Sequence, residues 1–166
     1  SAAEGYEPER RGWDENTYRL KNQDTNNHYD FSRKHLNFEI NGQGETVPLG
    51  SNPVPLHERL QKRLDELGFK PYMDKNNPLG ISDNSPNCTV GIIVSGDHDA
   101  LTRLAFGDQD VDFTLQKSNA HVVLKQGIRD WALDTYRWAC DRWGTENIIG
   151  FDVHLDETTP HIQIQT

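Results

Sequence analysis

Between Lys125 and Trp143, Ile128, Trp131, Ala132, Thr135, Ala139 and Arg142 or Trp143 recur at three- and four-residue steps. That is the spacing of one helical face, and Gly144 supplies the stop. The pattern predicts a helix from Lys125 to Trp143 with its Trp-rich stripe in a core, since rings that stack on bases must be exposed. A second helix is predicted from Pro55 to Leu67, with Leu56, Leu60, Leu64 and Leu67 on one stripe, Pro55 in its first turn and Gly68 at its end. A shorter one, capped by Asp97 or Asp99, is expected through Leu101, Leu104 and Phe106, burying Leu101, Leu104 and Ala105.

Alternation marks the strands. In His35–Ile40, Leu36, Phe38 and Ile40 face a core while His35, Asn37 and Glu39 face away. Thr89–Val94 is a β-branched apolar run, suited to a central strand, and Ile148–Asp156 and His161–Gln165 form two more. Polar or Gly- and Pro-rich stretches read as loops: residues 22–27, 43–54 and 71–86. The chain contains no internal repeat.

A length of 166 residues with 34% hydrophobic content fits one domain spanning 1–166. The apparent strand at its last residues suggests the N-terminal part of a longer protein. No apolar stretch approaches the roughly 20 residues of a membrane span, and SAAEGYEPERR lacks the apolar centre of a secretion signal. With only Cys88 and Cys140, at no metal-type spacing, a reducing, cytoplasmic setting is the expectation. A net charge of −9 argues against wrapping duplex DNA through a general field. It leaves room for a local basic groove from Arg10, Arg11, Arg19, Lys21, Arg33 and Lys34.

The chemistry concentrates at the end of the chain. Phe151, Val153 and Leu155 share one face of their strand, leaving Asp152, His154 and Asp156 on the other; Ile162 and Ile164 leave His161, Gln163 and Gln165 opposite. A four-residue turn over 157–160 pairs Asp156 with His161 and His154 with Gln163. His154 and His161 are then diagonal neighbours about 7 to 8 Å apart, within reach of one ion. Imidazoles with one or two oxygen donors suit Mn²⁺, Mg²⁺ or Zn²⁺, and such an ion offsets charge on a reacting phosphate.

The run His154-Leu155-Asp156-Glu157-Thr158-Thr159-Pro160-His161-Ile162-Gln163 resembles the metal-binding motif of the MobV-type (Mob/Pre) plasmid mobilisation relaxases, and Ser32-Arg33-Lys34-His35-Leu36-Asn37-Phe38-Glu39 resembles a second family segment. The resemblance implies an α+β fold of the relaxase (HUH endonuclease) type: a central antiparallel sheet flanked by helices, with the histidine-bearing strand central. It implies metal-dependent, strand-specific nicking and rejoining of single-stranded or locally melted origin-of-transfer DNA by transesterification, with accessory mobilisation proteins as further partners. Carried over by residue, His154 and His161 are metal ligands, with Gln163 at the third ligand position, where the family has histidine. A carboxylate such as Asp152 is one way to complete the shell. Glu157 orients or deprotonates the nucleophile, or lies beside the ion. Arg33 and Asn37 support the site or the DNA backbone.

The family's nucleophile is a histidine or tyrosine near the N-terminus; here no histidine precedes His28, leaving Tyr18, flanked by Arg19 and Lys21, and Tyr6. Two other readings share these residues: a non-catalytic DNA-binding module derived from a relaxase, and a rolling-circle replication initiator.

Overall fold

The computed structural model describes residues 7–24, 26–69 and 89–166. A five-stranded sheet, entirely antiparallel, is built from β1 (Phe38–Ile40), β2 (Thr46–Pro48), β3 (Gly91–Val94), β4 (Gly150–His154) and β5 (His161–Gln165) in the order β2-β1-β4-β5-β3. Among the described residues, the helices α1 (Glu15–Asp24), α2 (Leu56–Glu66), α3 (His98–Phe106) and α4 (Gln126–Trp143) accompany it. This is the α+β arrangement expected from the sequence, with the histidine-bearing β4 in the centre.

The two faces of the sheet differ in kind. Phe38, Ile40, Phe151, Val153, Ile162 and Ile164 point to one side, where they close a core with Ala105 and Phe106 of α3 and with Ile128, Ala132, Tyr136 and Ala139 of α4. The other face carries Glu39, Asp152 and His154, and these are buried as well. The expected exposed polar face is therefore covered, by the N-terminal segment with Glu9 and Arg10 and by α2. Two glycines permit that cover. A Cβ on Gly150 would meet Leu56 Cδ1 at 2.9 Å, so the missing side chain lets α2 sit against β4. Gly50, at φ +76°, would place a Cβ 2.9 Å from the Glu9 carbonyl oxygen.

Several elements depart from the sequence pattern for local reasons. The strand expected at His35 starts at Phe38, because Asp30 accepts hydrogen bonds from the Ser32 amide and hydroxyl and turns Phe31–Leu36 into a 3-10 helix. Residues 43–54 are not all loop: the Asn41 side chain accepts from the Gln43 and Glu45 amides and closes a tight hairpin onto β2. Its Pro48 stands on an edge strand, where a missing N–H is tolerated. The polar run at 22–27 is helical to Asp24, after which Asn22 clamps the returning chain through both the amide and the carbonyl of Tyr29.

The apolar strand β3 is at the edge rather than the centre: Ile92 and Val94 pack on the core, while Ile93 is 67% exposed. In α3, capped by Asp97, the buried side chains are Leu101, Ala105 and Phe106, and Leu104 turns outward. In α4 the buried face is Ile128, Ala132, Tyr136 and Ala139; Trp131 and Trp143 flank it, and Trp138 is half exposed. The surface excursion expected at 71–86 lies outside the described residues.

A second small core holds the N-terminal cover in place. Trp13, Tyr18 and Tyr29 meet edge to face with centroids 5.5 to 6.3 Å apart. The Arg10 guanidinium lies 4.8 Å from the Trp13 ring centroid and 4.9 Å from that of Tyr29.

Candidate metal centre

β4 and β5 pair with His154 opposite His161 and Asp152 opposite Gln163. This corrects the expected register by two residues: the connection spans Leu155 to Pro160, and the two histidines are direct partners rather than diagonal ones. The cause lies elsewhere in the chain. Arg33 donates to the carbonyls of Leu155 (2.6 Å) and Glu157 (3.1 Å), the Asp30 amide donates to the Asp156 carbonyl (2.7 Å), and the Leu155 amide donates to Asn37 Oδ1 (2.7 Å). With the backbone groups of Leu155–Glu157 committed to these partners, the ladder ends at His154.

The two imidazoles then meet closely. His154 Nδ1 lies 3.1 Å from His161 Nε2, with the rings inclined at 70°. Their outer nitrogens each face a carbonyl oxygen: His154 Nε2 is 2.6 Å from that of Pro8 and His161 Nδ1 is 3.0 Å from that of Thr159. A carbonyl only accepts, so both outer nitrogens carry the N–H. In neutral rings the inner nitrogens therefore present lone pair to lone pair, an arrangement that a cation shared between them would satisfy. Burial first, and the Arg10 charge second, push the His154 imidazole down to about 3, so this ring does not supply the proton.

Glu157 completes the group. Its Oε2 is 3.3 Å from His161 Nε2 and 3.7 Å from His154 Nδ1, and donor atoms of the three residues lie within 4.8 Å of one another. Neighbouring ligands about 2.1 Å from one ion are separated by roughly 3.0 to 3.5 Å, so this donor set fits a single divalent cation. Carbonyl partners on the outer nitrogens are the usual support for metal-bound imidazoles. Glu157 is the most accessible of the three, at 25% of its side chain, and with His161, His28, Asn26, Asn27 and Ile93 it lines a cavity of about 380 Å³.

A buried network stands behind Glu157. Arg10 donates to both carboxylate oxygens of Asp156 (3.1 and 3.2 Å) and to Glu157 Oε2 (2.8 Å), and the Tyr18 hydroxyl donates to Asp156 Oδ2 at 2.5 Å. Burial alone would raise the Asp156 carboxyl, but the Arg10 guanidinium overrides it and brings the group down to about 2. Tyr18 moves the other way, pushed up by burial and then by the Asp156 charge. Arg10 has φ +53°, a left-handed backbone that costs a non-glycine residue on the order of 1 kcal/mol, so its contacts outweigh that strain.

Because the Asp156 pKa is depressed on folding, its contribution to stability is complete above the ordinary carboxylate range and is lost as pH falls from about 4 to about 2. In chelator-treated protein, the urea-unfolding free energy of the wild type should fall relative to Asp156→Asn by about 2 kcal/mol across that window. A constant difference between the two would remove Asp156 from the network.

Gln163, opposite Asp152, is two rungs from the histidine pair and so on the same face as His161. Asp152, named from the sequence as a donor to complete the shell, shares that rung and faces Glu39 across β1. Arg33, wholly buried and paired with Asp30, and Asn37 both hold the connection. Arg19 bonds to Asn16 on α1, and Lys21 lies 3.9 Å from Glu7 and 5.1 Å from the Trp13 ring centroid. Tyr6 lies outside the described residues. Sequence reasoning missed the roles of Arg10, Asp30 and Asn119, whose amide donates to Asp30 at 2.7 Å. No spacing rule connects these residues to the motif.

No protein-family model matches the sequence, and no curated protein matches it significantly. Among solved structures, the chain is similar to the Mn-bound MobM relaxase domain (MOBV; Mob_Pre) with plasmid pMV158 oriT DNA at pH 6.8: 17% identity and a TM-score of 0.58 over 99% of this chain. A second Mn-bound crystal structure of that domain with the same plasmid's oriT DNA, at pH 4.6, gives 17% identity and a TM-score of 0.50 over 91% of this chain. This chain spans 62% of the length of each. At that identity the likeness establishes the fold, an α+β domain of the relaxase type.

Proposed function

We propose that the domain nicks and rejoins one strand of DNA at an origin of transfer by metal-dependent transesterification, serving plasmid or transposon mobilisation in the cytoplasm. The observation that carries this reading is the pair of inward-facing imidazole lone pairs beside the Glu157 carboxylate, on a fold shared with a relaxase domain that was crystallised with Mn and oriT DNA. His154, His161 and Glu157 hold the ion, with Mn²⁺ or Mg²⁺ preferred and Zn²⁺ also compatible. Such an ion polarises a phosphate oxygen and offsets charge that builds up during displacement. Arg10 and Asp156 fix the Glu157 carboxylate, while Arg33 and Asn37 hold the connection on which it stands.

In the reaction the nucleophile bonds to phosphorus, the 3′-oxygen leaves with the bonding pair, and the 5′-phosphate stays joined to the protein until the reverse attack. Tyr18 is assigned to positioning, because its hydroxyl is buried and donates to Asp156. Tyr6 is the other candidate tyrosine, and His28 is an imidazole that lines the same cavity as Glu157 and His161. The test is a single-stranded origin oligonucleotide incubated with Mn²⁺ or Mg²⁺, followed by peptide mapping. Nicking with a covalent adduct at one of these residues is expected. Normal binding with neither nick nor adduct in the full-length protein would favour the second reading, a DNA-binding module without chemistry, which Gln163 and the charge of −9 support.

Gln163→His bears on the same question. An imidazole at this position, two residues beyond His161 on the same face, should tighten Mn²⁺ binding by about tenfold or more in calorimetry. No gain would mean that the site is complete without that position.

A further inference from the structure

A second cavity, of about 580 Å³, opens on the same sheet two rungs from the metal centre, where the end of β1 and the start of β4 meet α2. Glu39 and Asp152 face each other across β1 and β4 and line it, each with only 3% of its surface exposed. Glu39 accepts one bond, from the Gly50 amide at 3.1 Å. Asp152 is different: among the described residues its carboxyl has no hydrogen-bond partner. Beside these groups, Arg59 gives one Nη to Glu9 but keeps a buried Nε–H without an acceptor. Buried polar groups are rarely left in this state, and when they line a cavity they specify what belongs in it.

Burial pushes both carboxyls up, Asp152 furthest because the Glu39 charge adds to it, so the pair holds a donor of its own; a partner that donates to the remaining carboxyl oxygens and accepts from the guanidinium completes the group. An exocyclic amino group supplies two N–H donors on one nitrogen, and the adjacent ring nitrogen or carbonyl of the same base supplies the acceptor. Adenine, cytosine and guanine meet this description. Thymine fits less well: it offers a single ring N–H, between two carbonyl oxygens, where the others bring two N–H donors on one nitrogen. The Tyr136 ring gives the cavity an apolar wall, and Lys62 of α2 stands at its rim as a cation for a phosphate, while Arg63 is held by Glu66 and Asn147. The volume is in the range of pockets that enclose a small organic ligand.

We propose that this cavity receives an amino-bearing nucleobase of the bound DNA strand, its amino group between Glu39 and Asp152 and its phosphate beside Lys62. The proposal rests on the reading of the domain as one that handles single-stranded DNA, and it makes the cavity a specificity site next to the metal centre. Along β4, Asp152 is two residues from His154, about 7 Å in an extended strand.

The test uses the full chain with a chelator present, so that neither ion nor cleavage enters. Titrations of dAMP, dCMP, dGMP and dTMP, followed by amide chemical shifts, should give binding for at least one amino-bearing nucleotide and an affinity for dTMP lower by about tenfold or more. A single-stranded oligonucleotide should compete with the nucleotide, and the same strand made abasic throughout should not. Asp152→Asn should weaken binding about tenfold while its circular dichroism stays unchanged. Lys62→Ala, a change at an exposed side chain, should weaken the nucleotide but not the nucleoside.

Equal affinity for dTMP, no shift with any of the four, unchanged binding in folded Asp152→Asn, or failure of the oligonucleotide to compete would each overturn the proposal. Loss of the cavity's ligand leaves the nicking reaction untouched, and absence of nicking leaves the cavity's ligand to be measured by itself.

Discussion

His161→Ala should lower the affinity of the chain for Mn²⁺ by at least about a hundredfold, more than the loss of a supporting contact to a ligand costs. The expectation follows from the way the site is put together. His154 is buried with its one N–H committed to Pro8, so its inner lone pair has no partner other than His161 or an ion shared with it. Removing His161 leaves an ion with one imidazole and one carboxylate, and that carboxylate is already engaged by Arg10. The side chain of His161 is 16% exposed and its strand is held by the ladder on both sides, so the fold should survive the change. Titration calorimetry of the variant against wild type reads the effect, and equal affinity would take His161 out of the ligand set.

Arg10→Met should be the most destabilising single change near the site, by about 3 to 5 kcal/mol in urea unfolding at neutral pH. Arg10 and Asp156 have side-chain exposures of 3% and 0%, so the variant leaves a carboxylate buried with only the Tyr18 hydroxyl to solvate it. Removing both charges, in Arg10→Met with Asp156→Leu, should recover part of the loss, because the largest cost is that of the unpaired ion. Mn²⁺ affinity should fall in Arg10→Met as well, since Glu157 loses the contact that orients it. If Arg10→Met unfolds at the wild-type urea concentration, the network does not hold the N-terminal cover in place.

How far the sequence disclosed this arrangement depends on the range of the interactions that decide each feature. The helix over 126–143 and the alternation in 150–154 and 161–165 are amphipathic patterns read within a few residues, and they are where the spacing puts them. The strand at 46–48 was hidden because its three residues sit among glycines and prolines and are held by one asparagine side chain.

The site shows the same division. The residue types of the centre stand together in the motif, but its geometry follows from the register, and the register is set by Asp30, Arg33 and Asn37, more than a hundred positions away. With the connection pulled out of the ladder, His154 faces His161 and Glu157 turns toward both, so the carboxylate that joins the histidines comes from the connection and not from Asp152 or position 163. The Arg10–Asp156–Tyr18 network depends in the same way on how the N-terminal segment lies over the sheet.

Crystals of the chain grown with Mn²⁺ and measured at the manganese absorption edge give the most direct test of the metal centre. The account predicts one anomalous peak about 2.0 to 2.3 Å from His154 Nδ1, His161 Nε2 and a Glu157 carboxylate oxygen, with both outer imidazole nitrogens still on their carbonyls. Density with no peak between the rings at saturating manganese, or with the two imidazoles turned apart, would contradict it.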